Sequence, residues 1–144
     1  MNGKDHGKVF LIGFDAGTFK VISPLVEQNR LPNIKKLIEG GVCSDLISTL
    51  PPITPCAWTS MTTGEDPVNH RIFDFNDTGG GSYSAPFISA SSRKAKPIWS
   101  LLSDCGKKVI VVNVPYTYPP DKVNGLLVSG PGAPGDGIFT FPPE

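Results

Sequence analysis

Two side chains in this sequence have the type and the position to act on a phosphate group: Thr54 and Asp15. Thr54 precedes Pro55 at the predicted start of a helix, where a hydroxyl faces unpaired N–H groups and the positive end of the helix dipole. Such a hydroxyl can attack phosphorus if a bound metal lowers its pKa, and a carboxylate such as Asp15 can hold that metal. The residue types alone leave the question open, because a threonine at a helix start is most often only a cap and an aspartate after a strand is most often a turn residue.

Residues that typically start and end helices occur around Thr54 and at several other places in the chain. A helix is predicted from Pro55 to Thr63, with Thr54 as N-cap, Pro55 at the first helical position and Gly64 as the stop. Amphipathic spacing, initiating prolines and terminal glycines predict three more helices: residues 19–28, a helix from Pro32 to the Gly40-Gly41 pair, and one that Pro97 opens and Gly106 closes.

Four segments have the pattern of strands. Residues 9–14 form a continuous apolar run, as expected of a strand that is buried on both faces of a parallel sheet, and Asp15 follows it directly. Residues 43–47, 108–114 and 125–129 are the other three candidates. Strands that alternate with helices predict the α/β class, with a mostly parallel sheet flanked by helices. In such sheets the functional crevice lies beyond the carboxyl ends of the strands, which is where Asp15 is expected.

The composition excludes several classes of partner. The chain has 144 residues, of which 39% are apolar, enough for one modest core, so a single unit over residues 1–144 is expected. Thirteen Lys/Arg balance thirteen Asp/Glu without a run of like charge, which argues against binding to a nucleic-acid polymer or an anionic membrane. The longest apolar run is far below the roughly 20 residues of a bilayer span. No export signal is evident, so a cytoplasmic location is expected.

Other conspicuous side chains have structural interpretations. The three cysteines are odd in number and lack C-x-x-C spacing, which argues against a disulfide framework and a thiolate zinc site, and Cys56 is expected to pack in the interior. Trp58 and Trp99 lie in predicted helices and are expected to be core anchors. Residues 91–96, which carry three cations, are expected to form a solvated loop that leads to the helix after Pro97, and a role of these cations in binding substrate phosphate is the alternative.

Several segments, in order and at plausible spacing, resemble the opening of the type I phosphodiesterase/nucleotide pyrophosphatase family, which belongs to the alkaline phosphatase superfamily. The main segments are residues 10–15 (FLIGFD), 31–37 (LPNIKKL), 51–64 (PPITPCAWTSMTTG) and 67–75 (PVNHRIFDF). Residues 112–115, 118–120 and 123–130 are also similar to archaeal and bacterial members. The resemblance covers nearly the whole chain and implies an alkaline-phosphatase-like α/β core.

The resemblance implies a hydrolase of phosphate esters that uses two divalent metal ions, usually zinc. Asp15 falls on the position of an acidic metal ligand, and Thr54 falls on the nucleophile, which shares a metal with that ligand. A phosphothreonine intermediate would then be hydrolysed by water. The implied substrate is a small phosphate ester.

The sequence also departs from the family pattern. The family commonly has glycine after its metal-binding aspartate and after the histidine that corresponds to His70, whereas this chain has Ala16 and Arg71. The asparagine that helps to bind the phosphoryl group would align with Phe75, and Asn76 is one residue away, which weakens the expectation of a nucleotide substrate. His70 itself is expected to have a structural role, with direct metal ligation as the lesser alternative.

Most metal ligands of the family are aspartates and histidines that lie beyond the matched region. Only Asp15 and Thr54 map to ligand positions here, so the chain is expected to be the amino-terminal portion of a hydrolase domain, with an incomplete metal site and little activity of its own. The alternative is a phosphate-binding or interaction module on the same scaffold without catalysis. A phosphomutase-like member of the superfamily also remains open.

Overall fold

The computed structural model describes residues 7–77 and 85–143. The chain divides into two compact units, Met1–Leu46 and Ile47–Glu144. The expectation of a single domain over residues 1–144 stays a prediction.

The first unit contains two helices, α1 (Phe19–Glu27) and α2 (Pro32–Gly40). The Thr18 hydroxyl caps α1 by accepting a hydrogen bond from the Lys20 N–H at 3.3 Å. Pro32 begins α2, as its fixed φ favours. Both helices lie where the sequence predicted them, to within one residue at their ends.

Two strand predictions, residues 9–14 and 43–47, are wrong. Both segments are described and neither is a strand, and their apolar side chains are exposed, as Val9 (92%) and Ile47 (92%) illustrate. A strand needs a neighbouring strand to accept and donate its backbone hydrogen bonds. The ladders within the described residues join other segments, so these two apolar runs have no strand partner there.

In the described residues of the second unit there are three more α-helices. They are α3 (Thr54–Thr63), the single-turn α4 (Pro67–His70) and α5 (Ile98–Asp104), with a short 3₁₀ turn at Ala90–Ser92 before α5. Gly64 ends α3 in the left-handed conformation at φ 71°, as predicted, because glycine adopts this conformation at no steric cost. Among the described residues no helix is long and apolar enough to span a bilayer.

A small mixed sheet forms the other part of this unit. Its strands are β1 (Val109–Val114), β2 (Gly125–Ser129) and β3 (Thr140–Phe141), in that spatial order. The β1–β2 pair is parallel and the β2–β3 pair is antiparallel. The α/β class is therefore confirmed, whereas the sheet in the described residues is mixed and not mostly parallel. The difference arises because β3, which the sequence did not predict, returns antiparallel along β2.

One face of the sheet packs against α5 and forms the core. The core consists of Trp99, Val109, Val111, Val123 and Leu127, and Leu127 is completely buried. Trp99 is thus a core anchor, as predicted, whereas Trp58 is only partly buried.

A polar cluster fixes α5 to the segment before β2. One carboxylate oxygen of Asp121, Oδ2, accepts hydrogen bonds from Arg93 Nη2 at 2.8 Å and from Trp99 Nε1 at 2.9 Å. The Arg93 guanidinium also lies 5.7 Å from the centre of the Trp99 ring. Arg93 is therefore mostly buried, with a side chain 9% exposed, and the prediction of a solvated loop is wrong at this residue. The reason is its pairing with Asp121, 28 residues away in sequence.

Candidate functional site

Thr54 is the first residue of α3 and not its N-cap. Ile53 is the N-cap, with an extended backbone (φ −115°, ψ 153°), and its carbonyl accepts the first helical hydrogen bond from Ala57 N–H at 2.9 Å. The predicted boundary is thus one residue late, because Thr54 already has a helical backbone despite the proline that follows it. Pro55 has no N–H and so contributes no donor at this end of the helix. Thr54 is partly buried, and Cys56 is completely buried, as predicted.

The remaining hydroxyls of α3 are used inside the unit. Thr59, Thr62 and Thr63 each donate to a backbone carbonyl four residues earlier, at 2.7–2.8 Å. Ser60 is bonded to the His70 ring at 2.8 Å. These four hydroxyls therefore stiffen the helix and its contacts. Thr54 differs from them in its position at the helix start.

Asp15 lies in a tight turn in the first unit. The turn is closed by Gly17 N–H donating to the Phe14 carbonyl at 3.2 Å, and Ala16 has a positive φ of 53° at its third residue, as in a type II turn. Asp15 is exposed. It does follow the predicted apolar run, but that run is not a strand, so its expected location at a sheet edge is not observed.

The metal site predicted from the resemblance is incomplete in the described residues. Within residues 7–77 and 85–143 no group of three or more His, Cys, Asp or Glu side chains is arranged to hold a metal ion. Asp15 and Thr54 are oxygen donors of the kind that divalent cations accept, but two donors do not make a two-metal centre. Each of the two residues is therefore suited to be a metal ligand, and neither unit contains a complete centre in its described residues.

His70 is a buried structural centre of the second unit. Its ring is 0% exposed, and Nδ1 accepts a hydrogen bond from the Ile72 N–H at 3.1 Å. Because Nδ1 is an acceptor, the proton of the neutral ring is on Nε2, which donates to Ser60 Oγ at 2.8 Å. The His70 carbonyl accepts from the Lys94 N–H at 3.0 Å. The structural role predicted for His70 agrees with these contacts, which join α3, α4 and the loop before α5.

The stability of this centre is expected to depend on pH. Burial lowers the pKa of His70 below its ordinary 6.5, although the nearby Asp66 and Glu65 carboxylates oppose this change. In the unfolded chain the ring takes up a proton near pH 6.5, whereas in the folded chain a proton on Nδ1 would face the Ile72 N–H. Stability is therefore unaffected by this residue above 6.5 and falls as the pH drops through 6.5 toward the lower folded-state pKa.

Thermal unfolding measured from about pH 7.5 to about pH 5.5 should show this loss as a falling Tm. The control is His70→Asn, whose side-chain oxygen can still accept from Ile72 but cannot be protonated in this range. Its Tm should be lower at neutral pH and should change less with pH. An equal pH slope in both proteins would contradict the assignment to His70.

An open cleft of about 650 Å³ lies beside His70. Its lining includes two cations, Arg71 and Lys94, together with Asn69, Asn76 and the carboxylate of Asp77. Lys94 is exposed, in agreement with the solvated loop predicted for residues 91–96. No sequence pattern indicates that Arg71 and Lys94, 23 positions apart, share one cleft, because a backbone hydrogen bond from the Lys94 N–H to the His70 carbonyl brings them together.

Phe75 takes part in an aromatic cluster. Its ring centre is 6.3 Å from that of Phe87 and 6.2 Å from that of Tyr116. A short antiparallel pairing holds the cluster, in which Ile88 N–H donates to the Phe75 carbonyl at 2.9 Å. Phe75 thus packs against other rings where the family alignment would place an amide, whereas its neighbour Asn76 lines the cleft.

These observations define a mixed α/β protein in which a threonine is the first residue of a helix. The N–H groups at such a helix start can bind a phosphate anion. The model of the family described as Type I phosphodiesterase / nucleotide pyrophosphatase matches residues 9–140, and the chain belongs to this family. No curated protein and no solved structure matches the chain significantly. The family predicted from the sequence is therefore confirmed, and membership indicates hydrolysis of phosphate esters.

Proposed function

We propose that this protein is a metal-dependent hydrolase of small phosphate esters, of the phosphodiesterase/nucleotide pyrophosphatase type, in which Thr54 is the nucleophile. The observation that carries the proposal is the family match over residues 9–140 of the 144-residue chain. The position of Thr54 supports it, because the first residue of α3 places a hydroxyl beside the N–H groups at a helix start.

The proposed reaction has two displacements at phosphorus. In the first, the bond from Thr54 Oγ1 to phosphorus forms as the bond to the leaving alcohol or phosphate breaks, and the departing oxygen takes up a proton. In the second, water cleaves the phosphothreonine, releases the phosphate product and restores the hydroxyl. The N–H groups of Thr54 and Cys56 would stabilise the charged phosphoryl oxygens in both steps.

Asp15 and Thr54 are the residues that this chain would contribute to metal binding. A divalent cation, when bound, supplies Lewis-acid activation and lowers the pKa of a hydroxyl ligand. We propose zinc as the metal, by family membership. Among the described residues no group of three or more His, Cys, Asp or Glu side chains is arranged to complete such a centre.

The test is an assay of the whole gene product with bis(para-nitrophenyl) phosphate as diester and para-nitrophenyl phosphate as monoester. We expect hydrolysis with zinc present, faster for the diester, and a loss of at least about 100-fold after chelation that added zinc reverses. A rate that chelation leaves unchanged would contradict metal dependence. Failure to hydrolyse either ester with zinc present would contradict the enzyme assignment.

The incomplete metal site favours a second candidate, a phosphate-binding module without catalysis. This candidate predicts that phosphate binds without added metal and that no phosphothreonine forms. Detection of phosphothreonine at residue 54 would exclude it.

A further inference from the structure

The backbones of two cationic residues beside His70 are held by hydrogen bonds. Arg71 follows His70 directly, and its N–H donates to the Pro67 carbonyl at 2.9 Å. Lys94 is attached on the other side, where its N–H donates to the His70 carbonyl at 3.0 Å. His70 is completely buried and is hydrogen-bonded to Ser60 and Ile72. The backbones of Arg71 and Lys94 are therefore both attached to a residue that is itself held in place. Both residues are exposed and line the same cleft.

Arg71 has a backbone conformation that normally favours glycine. It caps α4 with φ 66° and ψ 19°, in the left-handed region. A side chain in this region costs free energy, and glycine is the common residue at such a helix end. Residues with strained backbone conformations of this kind occur most often at binding and catalytic sites. Here the strained residue presents a guanidinium, the group best suited to bind phosphate through two hydrogen bonds.

The two cations of the cleft differ from the neighbouring cations Arg93 and Lys96 in their ion pairing. Of the three cations in residues 91–96, Arg93 pairs with Asp121 at 2.8 Å and Lys96 pairs with Asp104 at 2.7 Å. Neither Arg71 nor Lys94 takes part in an ion pair within residues 7–77 and 85–143. Among the described residues of the lining, Arg71 and Lys94 carry positive charges and Asp77 carries a negative charge.

We propose that this cleft binds a phosphate group of the substrate other than the one that Thr54 attacks, with Arg71 and Lys94 as its ligands. The proposal rests on the proposed function and names its substrate class: an ester that carries a second phosphate. Ser60, which is bonded to His70, lies six residues along α3 from Thr54, about 9 Å at the helical rise. Thr54 is not among the described residues that line the cleft, so a phosphate held there is a different group from the one that Thr54 attacks. Asn69 and Asn76 add amide groups to the lining.

The test is a titration of the whole protein with inorganic phosphate, without metal, followed by the amide signals of its NMR spectrum. We expect saturable shifts at Arg71, Ile72, Lys94 and Asn76. In the double variant Arg71→Gln, Lys94→Gln, phosphate affinity at these amides should fall at least about tenfold, as for loss of charge-assisted hydrogen bonds. The matched control is Lys96→Gln, which removes the same charge from the same loop and should leave the affinity unchanged. Equal loss in the control, or no shift at the cleft amides, would overturn the proposal.

A second variant separates binding from folding. Arg71→Gly removes the guanidinium and also the backbone strain at φ 66°. We expect its Tm to rise by a few degrees while phosphate affinity at the cleft falls, so that the two readouts move in opposite directions. Unchanged affinity in this variant would exclude Arg71 as a ligand.

The two proposals can fail separately. If cleft amides do not respond to phosphate but Thr54→Ala abolishes turnover, only the second-phosphate site is wrong. If cleft binding is as expected and Thr54→Ala retains turnover, the nucleophile is wrong and the cleft stands as an anion site.

Discussion

Replacing Thr54 with alanine is expected to lower kcat for a phosphodiester substrate by at least about 10³-fold in the whole gene product with its metals bound. The substitution removes the proposed nucleophile, and alanine retains the backbone N–H at the start of α3. Binding of substrate should therefore change much less than turnover. The measurement is steady-state hydrolysis, together with mass spectrometry of acid-quenched protein for phosphate on the peptide that contains residue 54.

Two variants control this experiment. Thr54→Ser retains a hydroxyl and should still form the phospho-enzyme, with a smaller loss of rate. Thr63→Ala removes a hydroxyl at the other end of the same helix, where it bonds to the Thr59 carbonyl at 2.7 Å, and should leave turnover near normal. A near-normal rate in Thr54→Ala would rule out Thr54 as the nucleophile, whatever the other variants do.

The helices were predictable because their signals are local. Pro32 begins α2, and Gly64 ends α3 in the left-handed conformation that a glycine tolerates. The start of α3 was placed one residue late, since a proline after Thr54 suggested that Thr54 was outside the helix. An error of one residue at a helix end is small in structural terms. It changes the chemistry only slightly, because Thr54 still lies beside the first N–H groups.

The strands were predicted less well because pairing is not local. Residues 109–114 and 125–129 form a parallel pair, and at Gly125 a side chain would overlap the Val109 carbonyl, which explains the glycine. Residues 9–14 have an even stronger apolar pattern and yet are not a strand. An apolar run shows that a segment is able to pair, but a partner strand decides whether it does.

The candidate site was predictable only in part. Thr54 and Asp15 were found from residue type and from the family resemblance, and their roles remain predictions. The cluster of Asp121, Arg93 and Trp99 joins residues 22 and 28 positions apart, so no spacing rule indicates it. The Arg71 and Lys94 cleft likewise depends on a backbone hydrogen bond to the His70 carbonyl. Contacts of this kind are a property of the fold and not of any short motif.

The hydrophobic core of the second unit is expected to contribute strongly to the stability of the protein. Leu127 is 0% exposed and lies in the core cluster with Trp99, which anchors α5. Leu127→Ala should lower the free energy of unfolding by about 2–5 kcal/mol. The loss has two parts: the hydrophobic transfer free energy of the deleted atoms, and the cost of a cavity that the sheet and α5 cannot fill completely. Urea unfolding followed by tryptophan fluorescence measures this, since Trp58 and Trp99, the two tryptophans of the chain, belong to the second unit.

The adjacent residue provides the matched control. Leu126 occupies the same strand with its side chain on the opposite face, and it is 53% exposed. Leu126→Ala removes the same atoms and should cost less than about 1 kcal/mol, because the side chain leaves no closed cavity behind. Equal losses in the two variants would mean that both faces of β2 are covered in solution. In that case the exposed face would belong to an interface, and the assignment of the core to one face of the sheet would be wrong.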